Sequence, residues 1–236
     1  MIKIIICADG LYDTGRKEAV CHIVCAGGFS GVLTGLNPGD YIIAADGGLR
    51  HLANMGVNPD LIVGDFDSLG YVPKTGEIVK LAEEKDDTDT LAAVRIGLKK
   101  GFRLFYLHCG LGGRLDHTLA NIQTLAFIAR SGGTGLLFGE AEAVVIVKDE
   151  VRFHPGFSGN ISVFSYSGKA GGVDIEGLKY GLKNAVLTNA FPIGVSNEFI
   201  GIESRISVHN GILLIVYERK NFITNSFHFS TQGINK

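Results

Sequence analysis

Two carboxylates stand two positions apart directly after an apolar run, in Asn58-Pro59-Asp60-Leu61-Ile62-Val63-Gly64-Asp65-Phe66-Asp67-Ser68. Such a run reads as a buried strand. In open α/β sheets, ligands bind at the carboxyl ends of strands. If the extended backbone continued, side chains i and i+2 would share one face. Asp65 and Asp67 would then hold one hard cation through oxygen. An acidic turn is the ordinary alternative, because Asp is common in turns. Placement at a strand end favours the cation.

A second acidic segment, Lys85-Asp86-Asp87-Thr88-Asp89-Thr90, opens a helical pattern. Asp and Thr cap helix N-termini and suit the helix dipole. A cap needs one residue, however, and this segment offers three carboxylates. With Asp65 and Asp67 that could make five acids in one cleft. At about 4 Å and an effective dielectric of roughly 20, each like-charge pair costs about 4 kcal/mol. Such a cluster calls for a bound cation, and Mg²⁺ is the expected one.

The third segment is Cys109-Gly110-Leu111-Gly112-Gly113-Arg114-Leu115-Asp116-His117, between an apolar strand and a helix. Its glycines let backbone approach a phosphate, and the helix start offers free N–H donors. Arg114 can fork two phosphate oxygens. Asp116 reads as the helix N-cap or as a further metal or substrate ligand. No GxxxxGK[ST] run is present, so this is not a P-loop protein. His108 and His117 flank the turn, although a structural role is favoured for both.

Ala44-Ala45-Asp46-Gly47-Gly48 repeats the strand, acid, glycine, helix order. Asp46 is placed to meet a ribose hydroxyl or to cap the helix. Cys7-Ala8-Asp9-Gly10 is similar but lacks a following helix. Gly194-Val195-Ser196-Asn197-Glu198 reads by itself as a polar turn. His22, His51, His154 and His209 show no ligand spacing and read as structural or surface groups.

The elements that position these groups change near residue 140. Before it, strands are predicted at Tyr41–Ala45, Leu61–Gly64, Ile78–Leu81 and Phe102–Leu107. Helices are predicted at Leu49–Met55, Thr90–Lys100 and Asp116–Arg130. This alternation implies a mostly parallel sheet covered on both faces. After it, strands are predicted at Ala143–Lys148, Asn160–Tyr166, Ala185–Thr188, Arg205–His209 and Ile212–Tyr217. His209-Asn210-Gly211-Ile212 is a hairpin signal. The expected fold is an α/β domain over 1–140, Rossmann-like, followed by an all-β sandwich domain over 141–236. No linker separates the halves, so they are expected to pack closely. The first 20 residues are the least defined, with an edge hairpin against Cys21–Ala26 as one reading.

Composition limits the function classes. The chain has 236 residues, 46% hydrophobic and 19% charged, with net charge −2. That excludes a disordered chain and gives no basic field for nucleic acid. The 33 glycines, without a collagen-like period, serve turns and close approaches. No apolar run approaches the roughly 18 residues of a membrane span. The N-terminal run, broken by Lys3, is too short for a signal peptide. Four cysteines without a CxxC pair argue against a disulfide scaffold or a zinc site. The expected location is a reducing cytoplasm.

Five segments in order, Ala45–Gly48, Pro59–Ser68, Lys85–Asp89, Gly112–His117 and Gly194–Asn197, resemble the thiamine pyrophosphokinase family. The resemblance runs from about Cys21 to Tyr217. It implies an N-terminal α/β domain, a C-terminal β-sandwich, and a homodimer with active sites between subunits. It implies transfer of pyrophosphate from ATP to the thiamine hydroxyl, leaving AMP. By resemblance, Asp65, Asp67 and Asp89 are metal and pyrophosphate-site acids, and Asp89 also meets thiamine. Asp46, Gly47, Thr88, Arg114 and Asp116 lie on the nucleotide side, with Arg114 also catalytic. Ser196 and Asn197 are thiamine contacts. The chain lacks the tryptophan that many relatives place at thiamine, so Phe191 or Phe199 is expected there. The first 20 residues match nothing in the family pattern. Two rivals remain. A haloacid-dehalogenase-like phosphatase would use Asp65-Phe66-Asp67 as its nucleophile motif, but Leu69 stands where that motif wants Thr or Val. A silent nucleotide or thiamine sensor would keep the pocket without turnover.

Overall fold

In a computed structural model of the chain, residues 3–7, 10–13, 19–28, 33–67, 69–73, 76–82 and 86–221 are described. Six apolar segments form parallel strands: β3 (Val20–Val24), β4 (Tyr41–Ala45), β5 (Leu61–Gly64), β6 (Ile78–Lys80), β7 (Leu104–His108) and β8 (Thr134–Phe138). They lie side by side in the order β8-β7-β3-β4-β5-β6. Three helices connect them: α1 (Gly48–Asn54), α2 (Asp89–Lys99) and α3 (Leu115–Arg130).

Side chains alternate across the sheet, so each strand feeds two cores. Cys21, Ile23, Ile43, Val63 and Leu107 pack beneath α2 and α3 with Ala93, Val94, Leu125 and Ile128. Val24, Ala44 and Ile62 pack on the opposite face with Leu52 of α1. The expected helix–strand alternation is present, and both faces are covered.

The sheet does not stop where the helical pattern stops. β9 (Glu142–Val147) pairs antiparallel with β8 and carries the sheet onward. β16 (Leu213–Glu218), β11 (Asn160–Ser165) and β14 (Asn197–Glu198) follow, giving ten strands in one sheet. A second sheet of six strands has the order β13-β12-β15-β10-β1-β2. Its members are β13 (Leu182–Thr188), β12 (Lys169–Glu176), β15 (Ser204–Ser207), β10 (Glu150–Phe153), β1 (Lys3–Cys7) and β2 (Gly10–Asp13). The core between the sheets holds Tyr106 and Phe138 from one side and Val151, Phe153, Val173 and Ile206 from the other, with Tyr217 and Phe157. The sandwich expected in the second half therefore shares its first sheet with the α/β half.

Two local expectations are corrected. His209–Ile212 does turn the chain, with Gly211 at φ +100°. The flanking strands are not a hairpin, though. β15 pairs with β10 and β12, whereas β16 pairs with β9 and β11 in the other sheet. The turn thus crosses between layers, a choice that Asn-Gly chemistry does not encode. The chain's first hairpin does not extend β3, both of whose edges are taken by β4 and β7. β1 instead pairs parallel with β10, and β2 closes that edge.

Ile6 is fully buried in the inter-sheet core. Ile6→Ala is expected to lower unfolding free energy by about 2–5 kcal/mol, as for other buried isoleucines. Chemical denaturation checks this; an unchanged midpoint would show that the first strand is not part of the sandwich core.

Candidate active site

Three strands of the parallel sheet are followed by a left-handed, non-glycine residue: Asp46 after β4 (φ 45°), Phe66 after β5 (φ 68°) and Cys109 after β7 (φ 57°). With the loop after β3 and the starts of α2 and α3, these strand ends enclose a cavity of about 640 Å³. Its lining includes Asp46, Asp65, Asp67, Thr88, Asp89 and Arg114. Four of the five sequence-derived segments reach it, and the fifth, Gly194–Asn197, does not.

The acids meet by a route other than the expected one. β5 stops at Gly64, so extended geometry does not carry Asp65 and Asp67 to one face. Instead Phe66 turns left-handed and buries its ring with Leu69 and Leu52. That inward anchor leaves the flanking carboxylates toward the cavity, with the Asp67 N–H donating to Asp65 Oδ1 at 3.3 Å. Asp46 joins them. One carboxylate oxygen from each of Asp46, Asp65 and Asp67 lies within 4.8 Å of the others. Asp46 is 5% exposed, its N–H is held by Val63 O at 2.8 Å, and its buried Oδ1 has no hydrogen-bond partner. Gly48 permits the fit, since a Cβ there would stand 1.8 Å from Val24 O. Asp46 does not cap α1; Gly47 holds that position without a side-chain bond.

Asp89 lines the cavity from the first turn of α2 but stands outside the three-acid group. The expected five-acid cleft is not formed. Asp86 and Asp87 line a different surface depression, and Asp87 pairs with Arg95 at 3.0 Å. Thr88 is the α2 N-cap, its hydroxyl accepting from Leu91 N–H at 3.2 Å. Lys85 and Ser68 lie outside the described residues.

Arg114 occupies the N-cap position of α3, and Asp116 lies within the first turn, so Asp116 is not the cap. Arg114 donates through Nε and Nη2 to the two oxygens of Asp116, at 3.1 and 2.6 Å. The guanidinium holds the Asp116 carboxyl down at about 2. Both side chains are largely exposed. The Nε edge is thereby occupied, and the Nη1 end remains the one to offer an anion. His117 lines the cavity, whereas His108 is buried in an Asp40–His22–His108 chain with contacts of 3.2 and 3.0 Å.

Two parts of the cavity lining had no place in the sequence reading. Asn121 is buried on α3 and donates from Nδ2 to Gly110 O at 2.8 Å. Its signal was a polar residue on the buried face of an amphipathic helix. The loop Cys25–Gly28 is the other; it is tied by Gly27 N–H to Cys109 O at 3.0 Å and by His51 Nε2 at Gly27 O, 2.9 Å.

Ser196 and Asn197 do not line this cavity. Ser196 is exposed at φ 59°, its N–H donating to Ser162 Oγ. The Asn197 side chain is buried and spent on backbone: Oδ1 accepts from the N–H of Tyr180 and Glu198, both at 2.9 Å, and Nδ2 donates to Tyr180 O at 2.6 Å. It fixes Tyr180, whose ring is 59% exposed. Phe199 is buried against Phe153 and Phe157 and is unavailable to a ligand, which corrects that expectation; Phe191 is exposed.

Comparison with known proteins places this geometry among relatives. The sequence model described as thiamin pyrophosphokinase, catalytic domain, matches residues 34–133. The one described as thiamin pyrophosphokinase, vitamin B1 binding domain, matches residues 145–213. The thiamine pyrophosphokinase of Bacillus subtilis is 28% identical over 188 residues, covering 74% of this chain and 85% of the relative. The crystal structure of a thiamine pyrophosphokinase from Bacillus subtilis superposes with a TM-score of 0.75 at 23% identity, covering 84% of this chain and 98% of that one. A thiamin pyrophosphokinase family protein from Enterococcus faecalis gives 0.73 at 25% identity, covering 86% and 99%.

Cys25 and Cys109 also line the cavity. Burial pushes their thiols up to about 11 and about 12 respectively. The thiolate is the nucleophile, so neither is one near neutral pH. At pH 8 iodoacetamide is expected to leave both unlabelled in the folded protein and to label both after denaturation. Labelling of the native protein at pH 8, read by peptide mass spectrometry, would contradict that assignment.

Proposed function

The chain belongs to the thiamin pyrophosphokinase family, and from that premise we propose how its cavity transfers pyrophosphate from ATP to the hydroxyl of thiamine. The observation that carries the proposal is the three-acid group beside an arginine at the carboxyl ends of parallel strands.

Asp46, Asp65 and Asp67 are the donor set for a divalent cation, Mg²⁺ by hardness. Three close carboxylates, one of them buried with an unpartnered oxygen, suit a hard ion that takes oxygen ligands. Asp46 therefore takes the place that the sequence reading gave to Asp89. A cation held there offsets the charge of the polyphosphate. Phosphoryl transfer asks mainly for positioning and charge stabilisation. Arg114, steered by Asp116, takes up charge on the moving phosphoryl group through its Nη1 end. Gly47 and Thr88 give the nucleotide room and a polar edge beside Asp46. The thiamine oxygen forms a bond to the β-phosphorus while the bond from that phosphorus to the bridging oxygen of AMP breaks. Asp89, in the cavity but outside the cation group, accepts the hydroxyl proton. The acid lining also suits thiamine's fixed positive charge.

The thiamine side falls to the second half, residues 141–236, with the nucleotide side in residues 1–140. Ser196 offers its exposed hydroxyl. Asn197 acts through Tyr180, the exposed aromatic it fixes, which stands in for the missing tryptophan and covers the cationic ring. Because these residues stand away from the cavity of their own chain, the reading pairs two chains as a homodimer, each completing the other's site. The exposed apolar side chains Phe191, Ile193 and Val195 beside Ser196 are consistent with a covered surface. No helix among the described residues is long and apolar enough to cross a membrane. Four cysteines, none of them in a disulfide, fit the reducing cytoplasm. The phosphatase and sensor alternatives gain no support from the relatives.

The direct test incubates the protein with ATP, Mg²⁺ and thiamine and separates the products. AMP is expected in step with thiamine diphosphate and only with thiamine present. ADP with thiamine monophosphate would overturn one-step transfer. Asp46→Asn and Asp67→Asn are each expected to lower kcat by about a hundredfold or more and to raise the Mg²⁺ requirement. Wild-type kinetics in Asp46→Asn would return the cation to other residues. Tyr180→Ala is expected to raise the thiamine KM about tenfold at unchanged ATP KM, the loss of a stacked cation–aromatic contact. The reverse pattern would remove Tyr180 from the thiamine side.

A further inference from the structure

The turn that delivers Arg114 lacks internal rigidity. Between β7 and α3 the backbone is left-handed at Cys109 (φ 57°), Gly112 (φ 82°) and Gly113 (φ 68°). Glycine visits both signs of φ at little cost, so these residues do not dictate the path of the turn. Its shape must be fixed from outside.

The fixed point is Gly110. It is wedged so closely that a Cβ would stand 2.3 Å from Leu137 Cδ1 and 3.2 Å from Asn121 Nδ2. Its carbonyl accepts from Asn121 Nδ2 at 2.8 Å, across eleven residues of sequence. Asn121 is itself 6% exposed on the buried side of α3, near Leu125 and Ala126, and it lines the cavity. Upstream, Cys25 N–H to His108 O and Gly27 N–H to Cys109 O hold the start of the turn at 2.9 and 3.0 Å. Thr118 Oγ1 approaches Gly112 O at 3.5 Å, a weaker second hold. Without the Asn121 amide the Gly110 carbonyl would be left buried and unsatisfied. The peptide would rotate to relieve that, and Arg114, four residues on, would move with it.

We propose that Asn121 is a positioning residue for the transfer: its buried amide locks the glycine-rich turn in the shape that points Arg114 at the anionic group of the substrate. This rests on the pyrophosphokinase reading above, but its test has a readout that does not require thiamine turnover. Asn121→Ser and Asn121→Asp are made in the full chain. Binding of inorganic pyrophosphate with Mg²⁺ is measured by calorimetry, alongside kcat and both KM values. In either variant pyrophosphate Kd and ATP KM are expected to rise about tenfold, kcat to fall, and thiamine KM to stay unchanged, the size expected for losing one buried hydrogen bond that positions a charge. If the aspartate variant does not fold, the smaller neutral serine carries the test.

A double-mutant cycle separates positioning from mere stabilisation. In an Arg114→Ala background, Asn121→Ser is expected to add less than about twofold to the loss, because both changes remove one function. Independent multiplication of the two losses, or unchanged pyrophosphate affinity in Asn121→Ser, would overturn the proposal. Asn121-dependent pyrophosphate binding in a protein that makes no thiamine diphosphate would sustain the positioning role and overturn the functional reading instead.

Discussion

Left-handed backbone after three strands of the parallel sheet, β4, β5 and β7, is the constraint from which the site follows. Asp46, Phe66 and Cys109 each adopt a conformation that costs an L-residue about 1–2 kcal/mol. Each is held by a specific contact that offsets it: Asp46 N–H on Val63 O, the Phe66 ring in the α1-side core, and Cys109 O under Gly27 N–H. Strain kept at a ligand site by its surroundings is a recurrent device. Here it turns the chain where β4, β5 and β7 end. Carboxylates from β4 and β5 converge as a result, and the turn after β7 brings an arginine opposite them.

Charge then organises what the backbone has brought together. Three close carboxylates repel one another, so the site favours cations and cationic ligands. Arg114 is paired with Asp116, which takes two of its donors. The neighbouring cysteines, raised by burial, stay neutral and add no competing charge. The deeper polar groups are resolved separately. His108 is held neutral by burial, with His22 and Asp40 behind it, and Arg219 spreads its donors over Thr34 and Gly139 O. These buried groups link β3 to β7 through the histidines, and the segments after β8 and β16 through Arg219.

The continuous ten-stranded sheet explains why the two halves act as one body. β8 and β9 meet within it, so strain at the nucleotide side and packing of the sandwich share a common backbone. The second sheet, including the N-terminal strand, covers the face that α1 leaves open. In the sandwich, Asn197 spends its side-chain polar atoms on Tyr180 and Glu198 backbone, which holds the main chain at Tyr180.

Much of this was legible in the order of residues. Apolar runs closed by glycine marked β4, β5, α1, α2 and α3 within a residue or two, because hydrophobic period and helix stops are local signals. The chemistry-bearing segments were also local: Asp65 and Asp67 after a strand, Arg114 after glycines, Asp46 before a helix. Thr88 as a cap followed from the same rules. What the sequence left open was distance. That Asp46 rather than Asp86 or Asp87 joins Asp65 and Asp67 depends on strand order, which places β4 beside β5 and turns Asp87 toward Arg95. That Asn210-Gly211 crosses between sheets instead of making a hairpin depends on which edges were free. Asn121 looked like any polar residue in a helix until folding set Gly110 against it. Periodicity and capping act over a few residues and are written in the chain. Which carboxylates share a cation, and which amide meets which carbonyl, are settled by packing between segments far apart in sequence, and so only the tertiary structure decides them.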